Sequence, residues 1–142
     1  MASKKSKSKI YEFNPQLYPT RLWVGKAHDL SIEDIDKEFY ALDENNERID
    51  FKDACDFSDV NCYATTYAVS NKESGWRGCL VILRRKDMPL STISHEASHC
   101  TDWLLEQLQI ESGTRFMNGE ARAYYHEWAW NRIYEVKQGK VK

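Results

Sequence analysis

Two histidines four residues apart, His95 and His99, stand in the sequence HEASH with Glu96 directly after the first. On an α-helix this spacing places both imidazoles on one face, one turn apart. Two ring nitrogens placed in this way can bind one zinc ion at about 2.0–2.1 Å. Glu96 would lie to the side of the pair, where it can act on a metal-bound water without binding the ion. The pentapeptide therefore indicates a zinc site with a catalytic base.

The remainder of this predicted helix separates the histidines from its apolar stripe. At about 100° per residue, the apolar side chains lie within roughly 40° of the side opposite His95. They are Ile93, Ala97, Cys100, Leu104 and Leu108. A histidine that fills a core would lie within that stripe, so the pair is predicted to face a site. A histidine pair on a solvated helix face is the structural alternative, and a third ligand would decide against it.

Several carboxylates downstream can supply a third ligand. Asp102 shares the histidine face and is better placed to orient an imidazole than to bind the ion. Glu106 lies too far along the helix axis, and Glu111 falls at the helix end. Glu120 follows a loop long enough to reverse the chain and stands among small residues, although it would also favour its own helix N-terminus. We predict Glu120 as the third ligand, with Glu127 as the reserve.

The segments before the motif indicate strands and one helix. A turn at Pro19 precedes a short apolar strand, Arg21–Ala27. A helix is predicted over residues 31–42, because Ser31 can cap it and apolar residues recur at helical spacing. Residues 43–59 are polar and rich in turn formers. NCYATTYAVSN and WRGCLVILRRK, joined through NKESG, predict a β-hairpin whose second strand lies inside the sheet.

The C-terminal half indicates two helices. Pro89 ends the hairpin, and Ser91 or Thr92 can cap a helix that runs to about Ile110. ESGTRFMNG reads as a loop, after which Asn118 can cap a last helix from Gly119 to about Lys137. Strands mixed with helices, followed by two helices, predict a single domain of the α+β class over residues 10–138. Residues 1–9 are predicted to form a disordered basic tail, and residues 139–142 a C-terminal tail.

Composition gives little support to several function classes. The formal net charge is −2, so bulk electrostatics carries no strong signal for nucleic acid or for a membrane surface. No apolar run approaches the ~20 residues that span a bilayer, and no signal-peptide core is present. A cytoplasmic protein is therefore expected.

The four cysteines, Cys55, Cys62, Cys79 and Cys100, are not spaced as C-x-x-C. We expect them to be reduced and mostly buried. Cys55 and Cys62 could form half of a structural zinc site, but no second pair matches them.

HEASH followed by NGEARAYY resembles the zincin metallopeptidases, in the subgroup whose third zinc ligand is a glutamate on the following helix. The separation of His99 and Glu120 is close to that in thermolysin-like enzymes. LYPTRLWV early and HEASHCTDWL with EARAYYHEW late are similar to small uncharacterised zincin-like proteins of phages and mobile elements. The resemblance implies one minimal zincin-like domain with a small twisted sheet whose edge strand lines the cleft. It implies zinc bound by His95, His99 and Glu120, with Glu96 as the general base.

Thermolysin-like enzymes also carry a second domain and a separate His or Tyr that stabilises the oxyanion, and the present pattern departs from both. Tyr124, one turn after Glu120 on the same face, is the candidate oxyanion donor, with simple packing as its alternative role. The aromatic side chains of the last helix point in several directions, which fits burial on more than one side and a possible homodimer contact. They are Tyr124, Tyr125, Trp128, Trp130 and Tyr134.

These features together predict a zinc-dependent peptidase. Its substrate would be a peptide or protein laid extended along the sheet edge, and Glu96 would activate the zinc-bound water. For a phage-encoded protein, the location would be the cytoplasm of the host cell. A metal-binding interaction module without hydrolytic activity is the main alternative. An adaptor protein in which HExxH is accidental is the third hypothesis.

Overall fold

Six strands form one mixed sheet in the computed structural model, which describes residues 9–54, 61–109 and 119–141. They are β1 (Ile10–Phe13), β2 (Arg21–Lys26), β3 (Phe39–Leu42), β4 (Arg48–Asp50), β5 (Ala64–Asn71) and β6 (Arg77–Leu83). Their order across the sheet is β1-β2-β6-β5-β3-β4. The pair β2–β6 is parallel and the other neighbouring pairs are antiparallel. With the helices below, this confirms the predicted α+β class.

Four α-helices cover the two faces of this sheet within the described ranges. They are α1 (Ile32–Glu38), α2 (Phe51–Ala54), α3 (Leu90–Gln107) and α4 (Glu120–Lys137), with a 3-10 turn at Ala27–Asp29. No helix in the described part of the chain is long and apolar enough to cross a membrane.

Successive side chains of the central strands point to opposite faces of the sheet, and they form two separate cores. Leu22 and Val24 of β2 face α3 and α4, whereas Trp23 between them faces α1 and α2. In β6, Val81 belongs to the first core and Leu80 to the second. Both faces of β6 are therefore covered by helices, which explains its continuous apolar run.

The predicted β-hairpin is confirmed as β5 and β6, which pair antiparallel from Ala64↔Leu83 to Ser70↔Arg77. The predicted strand after Pro19 is also present, and it ends at Lys26 because Ala27 begins the 3-10 turn.

The helix predicted over residues 31–42 is wrong in its second half. Ser31 does cap α1: its side chain accepts a hydrogen bond from the Asp34 N–H at 3.1 Å, and Asp34 Oδ2 accepts one from the Ser31 N–H at 3.0 Å. The helix ends at Glu38, and residues 39–42 form β3 instead. Phe39 and Ala41 are buried alternately in the second core, and Ala41 pairs with Val69 of β5. Pairing with β5 therefore overrides the helical spacing.

The start of α3 also differs from the prediction. Pro89 occupies the N-cap position without a side-chain cap, so Ser91 and Thr92 lie inside the helix. The Thr92 N–H donates to the Pro89 carbonyl, which begins the helical turn. At its other end, α3 stops at Gln107, three residues before the predicted end.

The strands and the helix that the sequence prediction missed are short. β1 was not predicted, and the polar segment 43–59 contains β4 and α2, with Phe51 fully buried in the second core. The last helix runs from Glu120 to Lys137, close to its prediction. Residues 1–8 of the predicted tail and the predicted cap Asn118 lie outside the described residues.

The aromatic side chains of α4 divide between core and surface. Tyr125 is buried, and Trp128, Trp130 and Tyr134 are partly buried against the first core. Tyr124 is 67% exposed. The homodimer contact through this helix stays a prediction.

The parallel pairing of β2 with β6 requires a glycine at position 78. A Cβ atom there would lie 1.9 Å from the backbone oxygen of Arg21 on β2. We expect Gly78→Ala to lower the free energy of unfolding by at least about 2 kcal/mol, because two paired backbones cannot separate locally. Urea denaturation measures the change. Gly119→Ala is the control, since a Cβ at Gly119 meets no atom of the described residues within 4 Å; equal losses would contradict the steric argument.

Candidate metal centre

The apolar stripe of α3 lies where the sequence predicts it. Ile93, Ala97, Cys100 and Leu104 are buried against the first face of the sheet. The opposite side faces solvent, and the His95 side chain is 68% exposed there. Core packing therefore sets the rotation of α3 about its axis, and that rotation turns the histidines outward.

The two imidazoles converge on one point. Their Nε2 atoms are 3.1 Å apart, and the ring planes meet at 87°. Two nitrogens at about 2.0–2.1 Å from one tetrahedral zinc ion would be about 3.3 Å apart. The pair could thus supply two of the ligands that such an ion would require, with little movement. A hydrogen bond between two neutral rings, one donating and one accepting, fits the same separation.

Glu96 is buried between α3 and the sheet, with 4% of its surface exposed. Its Oε1 accepts a hydrogen bond from the Thr66 hydroxyl at 2.8 Å. Its Oε2 lies 4.0 Å from His95 Nε2. A carboxylate withdrawn from water requires such partners, because its hydration is lost. One oxygen is therefore anchored to β5, and the other is near the histidine pair.

Side chains of β5 alternate between the two faces of the sheet, and Thr66 lies on the face that packs against α3. Thr66 pairs with Val81, whose side chain belongs to the core under α3, so both side chains point to that face. Thr65 and Tyr67 point to the opposite face, where the Tyr67 ring contacts Phe51 of α2.

A cleft of about 650 Å³ opens in front of these side chains. α3 contributes His95, Glu96, His99 and Trp103 to its lining, and β5 contributes residues 64–68. Strand β3 pairs with β5 at Val69–Asn71, so the 64–68 half of β5 runs past the end of β3 along the cleft. The resemblance implied an edge strand at this place. Here a strand from inside the sheet borders the cleft along half of its length.

Three cleft residues were missed by the sequence reasoning: Thr66, Tyr67 and Arg84. The Arg84 guanidinium donates from Nε to the Thr65 hydroxyl at 2.8 Å and from Nη2 to the Tyr67 hydroxyl at 2.6 Å. Thr and Tyr side chains are common in strands, so their three consecutive positions in β5 gave no signal of a cleft. The spacing gave no indication that Thr66 would meet Glu96, which lies thirty residues away along the chain.

No third metal ligand joins the histidines within residues 9–54, 61–109 and 119–141, where no group of three His, Cys, Asp or Glu side chains could hold one ion. Glu120 is the first residue of α4, and both it and Glu127 are exposed. Glu111 lies outside the described residues. Glu120 as the third ligand stays a prediction.

Neither Asp102 nor Tyr124 makes the contact that its predicted role requires. The Asp102 carboxylate pairs with the Arg122 guanidinium of α4, and in the described part of the chain neither imidazole is hydrogen-bonded to it. Tyr124 faces solvent and is not among the residues that line the cleft. Their roles in orienting an imidazole and stabilising an oxyanion stay predictions.

Two polar contacts join α4 to α3, beside the apolar core that the two helices share. The first is the ion pair between Arg122 and Asp102. The second is between His126 and Ser94: His126 Nε2 is 3.2 Å from the Ser94 carbonyl oxygen and 3.4 Å from its hydroxyl. His126 is thus a helix–helix contact.

The cysteines of the described residues are free thiols, and Cys79 and Cys100 are buried as expected. A hydrogen bond with Cys79, together with burial, raises the pKa of the Cys100 thiol well above its ordinary value. Cys100 therefore stays protonated at neutral pH, unlike a thiol that binds a metal. Cys62 is half-buried, and Cys55 lies outside the described residues, so their half-site is not described.

Comparison with known proteins gives this chain no family. No protein-family model matches it, and no match was found among curated proteins or solved structures. The function has to be inferred from the site itself.

The contact between Thr66 and Glu96 can be tested through stability. We expect Thr66→Val to lower the free energy of unfolding by about 1–3 kcal/mol, because Glu96 Oε1 stays buried without its donor. With Glu96→Leu, the double variant should be more stable than additivity predicts, by about 0.5–3 kcal/mol. Urea denaturation measures all three variants.

Thr20→Val is the matched control for this cycle. Thr20 is a buried threonine whose hydroxyl donates to the Arg77 carbonyl at 2.8 Å, away from Glu96. It should show additive effects with Glu96→Leu. Additivity of Thr66→Val as well would mean that the contact contributes nothing.

Proposed function

We propose that the protein is a zinc-dependent peptidase. The observation that carries the proposal is the environment of Glu96, a buried carboxylate with one oxygen anchored by Thr66 and the other near His95. A site that only holds a metal for structural reasons has no use for such a group, since burying a charge costs free energy. A general base, by contrast, is a carboxylate held in a fixed position near the histidine pair.

The residues present fit zinc in their chemistry. His95 and His99 would bind the ion through Nε2, which the 3.1 Å separation of these atoms supports. Glu120 is the proposed third ligand. When bound, zinc would supply a Lewis acid that polarises a carbonyl group and makes water more acidic.

Glu96 would move the protons of the reaction. Its Oε2 would take a proton from the attacking water and deliver it to the amine that leaves. The hydrogen bond from Thr66 holds the other oxygen, so the carboxylate stays in one orientation through both transfers. Preorganisation of this kind avoids the ordering of the base during the reaction.

An extended peptide is the substrate that fits the cleft best. The volume of the cleft, about 650 Å³, lies within the usual range of binding sites. The 64–68 half of β5 runs along it, and a peptide laid beside this half-strand could add to the sheet through its backbone. Ala64 and Ala68 contribute small side chains to the lining.

The second candidate is a metal-binding interaction module without hydrolytic activity. Two observations favour it: no third ligand is placed among the described residues, and the predicted oxyanion donor Tyr124 is 67% exposed. Metal analysis and a Glu96 variant together distinguish the two functions.

We expect the purified protein to bind one zinc ion per chain, and His95→Ala and His99→Ala each to lose it, because each removes a ligand. Elemental analysis after dialysis against zinc measures the stoichiometry. His28→Ala is the control, since His28 is exposed and contacts Asp29 outside the cleft. Wild-type protein without any divalent metal would overturn both candidate functions.

The same analysis tests the third ligand. Glu120→Gln should weaken zinc binding by at least about tenfold, since even residues that only orient a ligand have effects of that size. Glu127→Gln should leave the affinity within a few-fold. The reverse order would assign the ligand to Glu127.

The test of catalysis is Glu96→Gln. This variant should keep its zinc and its fold, because Glu96 is proposed not to bind the ion. It should lose about 10²–10⁴ in the rate of peptide hydrolysis, the usual contribution of a general base. Turnover of a peptide library and of an unstructured protein is compared at equal zinc content. Activity that survives in Glu96→Gln would exclude Glu96 as the base, and a zinc-loaded wild type without turnover would favour the interaction module.

A further inference from the structure

A second cavity, of about 450 Å³, lies where the parallel strands β2 and β6 end. Lys26 is the last residue of β2 and pairs in register with Leu83, the last residue of β6. The basic segment 84–86 follows directly, and Lys137 ends α4 beside it. Apart from Leu83, every residue that lines this cavity is basic: Lys26, His28, Arg84, Arg85, Lys86 and Lys137.

Some of these basic groups are already compensated. His28 lies 3.4 Å from the Asp29 carboxylate. Arg85 donates two hydrogen bonds to Asp87, at 2.9 and 2.7 Å, and these lower the pKa of Asp87. Arg84 donates to Thr65 and Tyr67.

Three lysines are not compensated. Across the described ranges, the ammonium groups of Lys26, Lys86 and Lys137 have neither a hydrogen-bond nor an ion-pair partner. Like charges around one cavity repel each other, and the repulsion grows where the walls exclude water. An anion in the cavity would replace this repulsion with attraction.

The basic surface extends beyond the cavity. Lys9 lies next to it, because Ile10 pairs with Gly25 and the Lys9 ammonium is 4.0 Å from Asp29. Lys140 follows Lys137 at the other end of the chain. A single phosphate needs far less surface, so the charge distribution favours a polymeric anion.

We propose that this surface binds the phosphodiester backbone of a nucleic acid. Lysines act as point charges toward phosphates and need no fixed geometry, as backbone binding requires. The ring of Tyr63, which is 37% exposed, lies beneath the Arg85 guanidinium at 4.9 Å. The guanidinium covers one face of this ring, and the exposed remainder of the ring, beside the cavity, suits a stacked base.

The net charge of the chain does not oppose this assignment, because Asp29 and Asp87 beside the cavity are already paired with basic groups and further acidic side chains lie elsewhere. Glu12, Glu38 and Glu73 line a different pocket. The formal charge of −2 is a sum over separated regions of opposite sign.

The test uses the full chain and a labelled single-stranded DNA of about 20 nucleotides, a length that spans one binding site with room to spare. Fluorescence anisotropy measures the dissociation constant at several salt concentrations. The triple variant Lys26→Gln/Lys86→Gln/Lys137→Gln should bind at least tenfold more weakly. The slope of log affinity against log salt should fall by about 2, since each lost contact to a single strand removes about 0.7.

The matched control is Lys37→Gln/Lys52→Gln/Lys72→Gln, which changes the net charge equally on exposed residues of α1, α2 and the β5–β6 turn. It should bind within about twofold of the wild type. An equal loss of DNA affinity in both triple variants would mean that only the net charge of the protein matters, and it would overturn the site. Unchanged circular dichroism in each variant confirms that the fold is kept.

Competition identifies the class of anion. Poly-glutamate that displaces the DNA at equal charge concentration would overturn the assignment in favour of an acidic protein. If millimolar inorganic phosphate displaced the DNA fully, the site would bind a single phosphate group, and the nucleic-acid assignment would be wrong. His95→Ala, which is proposed to lose zinc, should bind DNA like the wild type. The nucleic-acid site and the peptidase site can therefore fail independently.

Discussion

The hydrogen bond from Thr66 to Glu96 joins the histidine helix to the sheet, and the candidate site depends on it. A carboxylate that is 4% exposed must have a partner, and β5 supplies that partner on the face that packs against α3. On its core side, α3 is held by Ile93, Ala97, Cys100 and Leu104. With its rotation set on both sides, the helix turns His95 and His99 outward into the cleft.

The topology of the sheet decides where the two cavities lie. Strand β3 covers part of β5, so the other half of β5 borders the cleft in front of the histidines. The parallel pair β2–β6 brings two carboxyl ends together, and basic residues follow both of them. Arg84, one residue after β6, lines both cavities. A polymer bound at the basic surface would therefore lie next to the proposed catalytic cleft.

The α3–α4 contact is less suited to the proposed chemistry than the α3–β5 contact. The polar contacts between the two helices are the pairs Asp102–Arg122 and Ser94–His126. Asp102 is occupied by Arg122, and Glu120 lies at the start of α4 in an exposed position. The two proposed ligands and the proposed base thus lie together, whereas completion of the proposed metal site would depend on groups from the beginning of α4 or from outside the described residues.

Features set by near neighbours in the chain could be predicted from the sequence alone. The histidine pair, the opposing apolar stripe of α3, the hairpin and the Ser31 helix cap all follow from spacing within one or two turns or strands. Tertiary structure decided the features that join distant segments. Residues 39–42 became β3 because pairing with β5 outweighs their helical spacing. Thr66 became the partner of Glu96 because strand alternation and helix rotation meet there. Lys26, Lys86 and Lys137 became one basic surface although composition shows a nearly neutral chain, because a sum of charges contains no distances.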